Sequence, residues 1–114
     1  QRALDINHDS AHLLVQRGTT EQVSGHIWRH DPRLSQLSPF RLSESQAQQL
    51  VKDIQCPTFC ILGADGYPEI KQQFIKRQRL FAHLRYATLS GNHHLHMVNP
   101  QAVAQAIKEF LVKL

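Results

Sequence analysis

Nowhere in these 114 residues is there an apolar run long enough to span a bilayer, nor the basic-then-apolar pattern of a secretory signal. A soluble chain with no membrane partner is expected. Low-complexity tracts are missing too, and nothing in the composition reads as disordered. Cysteine is scarce: Cys56 and Cys60 bracket Pro57-Thr58-Phe59. In an extended segment they would share one face at about 13 Å, from ~3.3 Å of rise per residue. That is too far for a mutual disulfide. A zinc half-site lacks a matching second pair of ligands, although the histidines could supply one. Two reduced, half-buried thiols in a sheet are the expected state, and with them a reducing, cytoplasmic setting.

A dominant charge of one sign is also missing. The formal net charge is +4 with His neutral, and the densest basic stretch is Lys71-Gln72-Gln73-Phe74-Ile75-Lys76-Arg77-Gln78-Arg79. Phe74 and Ile75 fall on one helical face and the basic residues occupy the remainder. A solvated helix face over an apolar stripe explains this better than a nucleic-acid surface, which would interleave aromatics with clustered charge. No nucleic-acid partner is expected.

What is present fits one ordinary domain. The chain opens on Gln1 rather than methionine, and its first residues read as the middle of a helix, so a processed or excised piece is expected. Leu4, Ala11, Leu13, Leu14 and Val15 give a partial helical stripe up to Gln16. Gly18 suits a left-handed position at its C-terminus. Val23 to Trp28 reads as a short extended piece with a turn at Ser24-Gly25. Ser43 with Gln46 forms a capping-box pattern, opening a helix that carries Ala47, Leu50, Val51 and Ile54 and ends before Pro57.

Thr58-Phe59-Cys60-Ile61-Leu62 is a continuous apolar run, as in a parallel strand covered on both faces. A turn cluster, Gly63 to Pro68, precedes a helix from Glu69 to Phe81. Arg85-Tyr86-Ala87-Thr88-Leu89 alternates as a second strand. Pro100 starts a final helix with a stripe of Val103, Ala106, Ile107, Phe110, Leu111 and Leu114. The fold class is therefore α/β: strand–helix–strand–helix with a parallel pair. Two parallel strands alone are too little sheet, so further strands from another segment or chain are expected.

Between the second strand and the last helix lies Gly91-Asn92-His93-His94-Leu95-His96-Met97. Gly91-Asn92 permits a tight turn, and His93 then sits just past a strand's C-terminal end. A neutral imidazole there can take a proton from a nucleophile and return it to a leaving group. Asp65, past the end of the preceding strand, could orient that ring; both fall on the edge of an α/β sheet where ligands bind. The bland alternative is that these histidines only satisfy loop backbone groups. A metal held by His93, His94 and His96 is the weaker reading, since neighbouring residues would have to converge without a carboxylate or cysteine partner. No metal or other cofactor is expected.

From about Gly25 to Leu114 the chain resembles the C-terminal part of an α/β-hydrolase-fold serine hydrolase. The residues carrying the likeness are Trp28-Arg29-His30-Asp31-Pro32-Arg33-Leu34, Ile54-Gln55-Cys56-Pro57-Thr58, Leu62-Gly63-Ala64-Asp65-Gly66, the run from Gly91 to Met97, and Asn99-Pro100. The resemblance implies that residues 1–55 are the end of a helical cap and its connection, and that 56–114 are the last part of the core. It makes His93 the general base and Asp65 the acid of a catalytic triad acting on a small ester-type substrate. The family often has one more residue between the glycine and that aspartate, and some members carry the acid elsewhere; Asp31 is the alternative here. No Gly-x-Ser-x-Gly elbow and no His-Gly oxyanion segment occurs in the sequence. The chain is thus expected to be inactive without an upstream nucleophile. The rival expectation is a noncatalytic α/β fragment acting through self-association or a partner.

Overall fold

The computed structural model describes residues 6–114. Leu4 and the expected mid-helix start fall outside the described residues. By its internal packing the chain divides into two units, Ile6–Arg41 and Leu42–Leu114.

In the first unit, helix α1 (His8–Gly18) begins where the Asn7 side chain accepts the Ser10 amide at 2.8 Å, satisfying one of the free N–H groups of the first turn. Gly18 does not take the expected left-handed conformation; the only positive-φ glycines described are Gly25 and Gly91. Its smallness has another cause, because a β-carbon there would stand 2.9 Å from the Trp28 ring. The expected single extended piece is in fact a hairpin: β1 (Thr19–Gln22) pairs antiparallel with β2 (Gly25–Trp28). Asp31 accepts the Arg33 amide at 2.9 Å, starts a 3-10 turn (Pro32–Ser35), and holds the Arg33 guanidinium at 2.5 Å.

In the second unit, α2 (Glu44–Lys52) opens with the full capping box. Ser43 Oγ accepts from the Gln46 amide at 3.3 Å, and Gln46 Oε1 accepts from the Ser43 amide at 2.9 Å. Strand β3 (Thr58–Gly63), helix α3 (Pro68–Arg77), strand β4 (Leu84–Leu89), the one-turn helix α4 (Leu95–Val98) and helix α5 (Pro100–Leu111) follow. A 3-10 turn (Gln78–Leu80) continues α3. The Arg77 guanidinium reaches back to Glu44 at 2.6 Å and ties α3 to α2.

Strands β3 and β4 are parallel, in register from Thr58 opposite Leu84 to Gly63 opposite Leu89. Alternation across the pleat sorts the two faces. On one, Phe59 stacks on Phe110 of α5, ring centroids 5.0 Å apart, with the Arg85 guanidinium 5.4 Å from the Phe110 ring. On the other, Tyr86 meets Phe74 of α3 edge to face at 5.2 Å. A helix therefore covers each face. Neither strand has a second neighbour among the described residues.

The cover is thin. Leu95 and Phe110 are the buried apolar side chains described, while Ile75, Tyr86, Leu50 and Leu111 are each more than half exposed. Cys60 lies half-buried in β3, whereas Cys56 is exposed and precedes the strand. The expectation of two half-buried thiols in a sheet thus holds for one of them: the turn through Pro57 delays the strand to Thr58. Both thiols are free. Among the described residues no helix is long and apolar enough to cross a membrane.

Candidate active site

The C-terminal ends of β3 and β4 carry two loops that are joined through their backbones. The amide of Ala64 donates to the Leu89 carbonyl at 2.8 Å, and the amide of Asp65 donates to the Gly91 carbonyl at 2.9 Å. These bonds continue the parallel ladder beyond the strands and bring the Asp65 loop beside the histidine loop. The Ala64 carbonyl accepts the Lys71 ammonium from α3, so both backbone polar groups of Ala64 are satisfied.

Two glycines make this closure possible. A β-carbon at Gly63 would lie 2.2 Å from the Asn92 carbonyl oxygen, so only glycine allows the loops to meet there. Gly91 has φ of +128°, a region that side chains with a β-carbon rarely adopt, and it turns the chain out of β4 toward His93. The amide of His94 then donates to the Asn92 side chain at 2.8 Å, and α4 begins.

His93 is exposed, and its imidazole stacks on the ring of Tyr67, centroids 4.7 Å apart and planes 28° from parallel. On another side His94 meets it at 5.3 Å, nearly perpendicular. Among the described residues no hydrogen bond or ion pair to Asp65 accompanies these ring contacts; the two candidates share a rim, joined through backbone. Asp65 is exposed. His94 is half-buried, with Nε2 enclosed and without a hydrogen-bond partner among the described residues, while His96 is exposed. Those two residues differ, as a turning loop requires. Among the described residues no group of three or more His, Cys, Asp or Glu side chains is arranged to hold a metal ion.

Asp31, the alternative acid, is in the first unit and is engaged by Arg33, whose guanidinium and amide hold its carboxyl below the usual carboxylate range. Cys60 faces a cavity of about 170 Å³ shared with Leu62, Tyr67, Ile70, Lys71 and His93. Burial pushes its thiol pKa up, away from nucleophilic thiolate.

Sequence reasoning missed Tyr67, Lys71 and the steric role of Gly63. Nothing in local periodicity signals a ring 26 positions away from its partner, or a backbone approach between two loops. The turn cluster from Gly63 to Pro68 was the one available pointer, and it located the loop without assigning its side chains.

No protein-family profile matches the chain. A serine hydrolase-like protein of Dictyostelium discoideum is 32% identical over 97% of this chain and 31% of its own length. Serine hydrolase-like protein 2 of Homo sapiens is 26% identical over 93% of this chain and 38% of its own length. Among solved structures, a hypothetical protein of Pseudomonas aeruginosa PAO1 superposes with a TM-score of 0.84 at 30% identity, covering 97% of this chain and 40% of that one. A thioesterase domain from the curacin biosynthetic pathway gives a TM-score of 0.69 at 26% identity, over 91% of this chain and 38% of that one. The chain spans about a third of the length of the curated relatives it matches.

Proposed function

This chain carries a partial, hydrolase-type α/β fold, and from that premise we propose that it supplies the proton-transfer histidine and the acid of an ester or related carbonyl hydrolase. The observation that supports this most is the joining of two loops at the C-terminal edge of a parallel strand pair, one bearing Asp65 and the other His93. Ligands bind at that edge in α/β sheets. His93 is exposed there and open to a substrate.

In this reading a serine outside these 114 residues attacks the substrate carbonyl, and His93 takes the hydroxyl proton as the bond forms. The imidazolium then gives that proton to the departing oxygen, leaving an acyl-enzyme. Water attacks the acyl carbon in turn and loses a proton to His93; the acyl–serine C–O bond then breaks, the proton returns to the serine oxygen, and the carboxylic acid leaves. Asp65 stabilises the imidazolium, after a side-chain rotation or through an intervening water. The cavity of about 170 Å³ beside His93 is below the ~300–1,000 Å³ usual for a complete ligand site. It would hold only the reacting end of a small substrate. Residues 1–55 would form the end of a cap and its connection, and 56–114 the core; the setting would be cytoplasmic, as two free thiols suit.

The test is turnover of nitrophenyl esters by the complete protein and its H93Q variant. Loss of turnover in H93Q with the fold retained is expected. Unchanged turnover would reject the assignment.

A second reading is favoured by the thin cover of the second unit, where Ile75 is 64% and Tyr86 58% exposed. Large exposed apolar side chains beside a sheet with free edges suit association with further strands or another copy of the chain. Light scattering tests it: a stable monomer of these 114 residues with cooperative unfolding would count against it.

A further inference from the structure

We propose that Tyr67 is a positioning residue for His93, its ring serving as the platform that fixes the imidazole's orientation; the catalytic consequence rests on the hydrolase reading above. The geometry is specific. The two rings lie 4.7 Å apart at 28°, within the offset-stacked range in which aromatic pairs attract. The platform is itself held. The Tyr67 carbonyl accepts from the amides of Ile70 at 3.1 Å and Lys71 at 3.3 Å, forming the first turn of α3, and Pro68 fixes the next φ. Tyr67 is half-buried and shares the cavity with Cys60, Leu62 and His93.

His93, by contrast, is an exposed side chain whose described ring contacts are the stack on Tyr67 and the perpendicular contact with His94. An imidazole on a turning loop has several rotamers open to it. Proton transfer needs one of them, with the reacting nitrogen aimed at the nucleophile. A π-face on one side removes the alternatives without occupying either ring nitrogen. The groups around that ring are Tyr67 beneath it, His94 at its edge, and Lys71 across the shared cavity. Asp65 is joined to the histidine loop through its backbone, its amide donating to the Gly91 carbonyl.

The experiment uses the complete protein with histidine labelled at Cε1, the His93 signal being assigned by its absence in H93Q. In the wild type the His93 ring proton is expected upfield of its position in Y67L, shifted by the ring current of the stacked tyrosine. Y67F keeps the ring and should keep the upfield position. Coincident signals in wild type and Y67L overturn the stack, whether or not the protein turns over any ester. With nitrophenyl acetate as the probe, Y67L should lower kcat about tenfold with KM little changed, the size expected from one stacked pair. Y67F should recover most of that loss. A Y67F variant as impaired as Y67L would assign the effect to the hydroxyl and overturn the platform role. Loss of turnover in H93Q separately tests the hydrolase reading, so the two ideas fail by different measurements.

Discussion

Gly63 and Asn92 meet so closely that a β-carbon on the first would stand 2.2 Å from the carbonyl oxygen of the second. This contact sits where β3 and β4 release the Asp65 and His93 loops, so it sets how near the two loops come. The obstacle is backbone on both sides, with no flexible side chain to swing away. Gly63→Ala should therefore cost about 1–3 kcal/mol, the range for forced overpacking. Urea denaturation would read the loss, and an unchanged midpoint would show that the loops part freely. The bond from the Asp65 amide to the Gly91 carbonyl must stretch as they part, so on the proposed hydrolase reading ester turnover by the complete protein should fall in the same variant.

The Arg77–Glu44 pair, at 2.6 Å, links two helices 33 positions apart in sequence. The guanidinium, helped by Gln48, holds the Glu44 carboxyl below its ordinary value of 4.5. A carboxyl depressed in the folded state contributes stability above its unfolded pKa and loses it as pH falls through the lower, folded value. Arg77 remains charged throughout. Wild-type melting temperature should thus drop more steeply than that of E44Q as pH falls below about 4.5. Salt should narrow the difference, since the pair is exposed to solvent. Parallel acid limbs would show that the pair adds nothing.

Cys56 and Cys60 are four residues apart and differ in environment. Cys56 is exposed; Cys60 is half-buried in β3, with its thiol pKa raised by that burial. At mildly alkaline pH, iodoacetamide should modify Cys56 well before Cys60, because Cys56 is exposed while burial both shields Cys60 and disfavours its thiolate. Mass spectrometry of the early product would locate the label. Equal labelling of both would mean that β3 opens on the timescale of the reaction.

Much of the second unit was legible because its signals are local. Ser43 and Gln46 satisfy each other within one turn, Pro100 starts α5, and the apolar run at Thr58 yields β3. The likeness in the Gly63-to-Asp65 and Gly91-to-Met97 segments placed both loops on one edge. What escaped has no local signature. Thr19-Thr20-Glu21-Gln22 forms β1 while almost wholly exposed, so no hydrophobic alternation announces it. Cys56 fell outside the strand because the chain turns before Thr58. The pairing of His93 with Tyr67 depends on where two loops meet, which periodicity does not encode. Nor does the α5 stripe report its own cover: Phe110 is buried, yet Leu111 beside it is 56% exposed.

Phe110 is where α5 is secured to the sheet. Its ring stacks on Phe59 at 5.0 Å, and the Arg85 guanidinium lies 5.4 Å from its centre on the same face. The two partners differ in kind. The Phe59 contact is apolar and partly closed to water, whereas Arg85 is exposed, where a cation–π contact is worth about 0.5–1 kcal/mol. Removing the phenyl group loses burial and leaves a void, typically about 3–5 kcal/mol for Phe→Ala. Phe110→Ala should therefore lower the urea midpoint several times more than Arg85→Ala. Since α5 begins at Pro100, seven residues after His93, loosening it should also free the histidine loop. In Phe110→Ala the His93 ring signal should then move toward its Y67L position; a signal unmoved in a destabilised variant would show that α4 and the Gly63 contact hold the loop without α5.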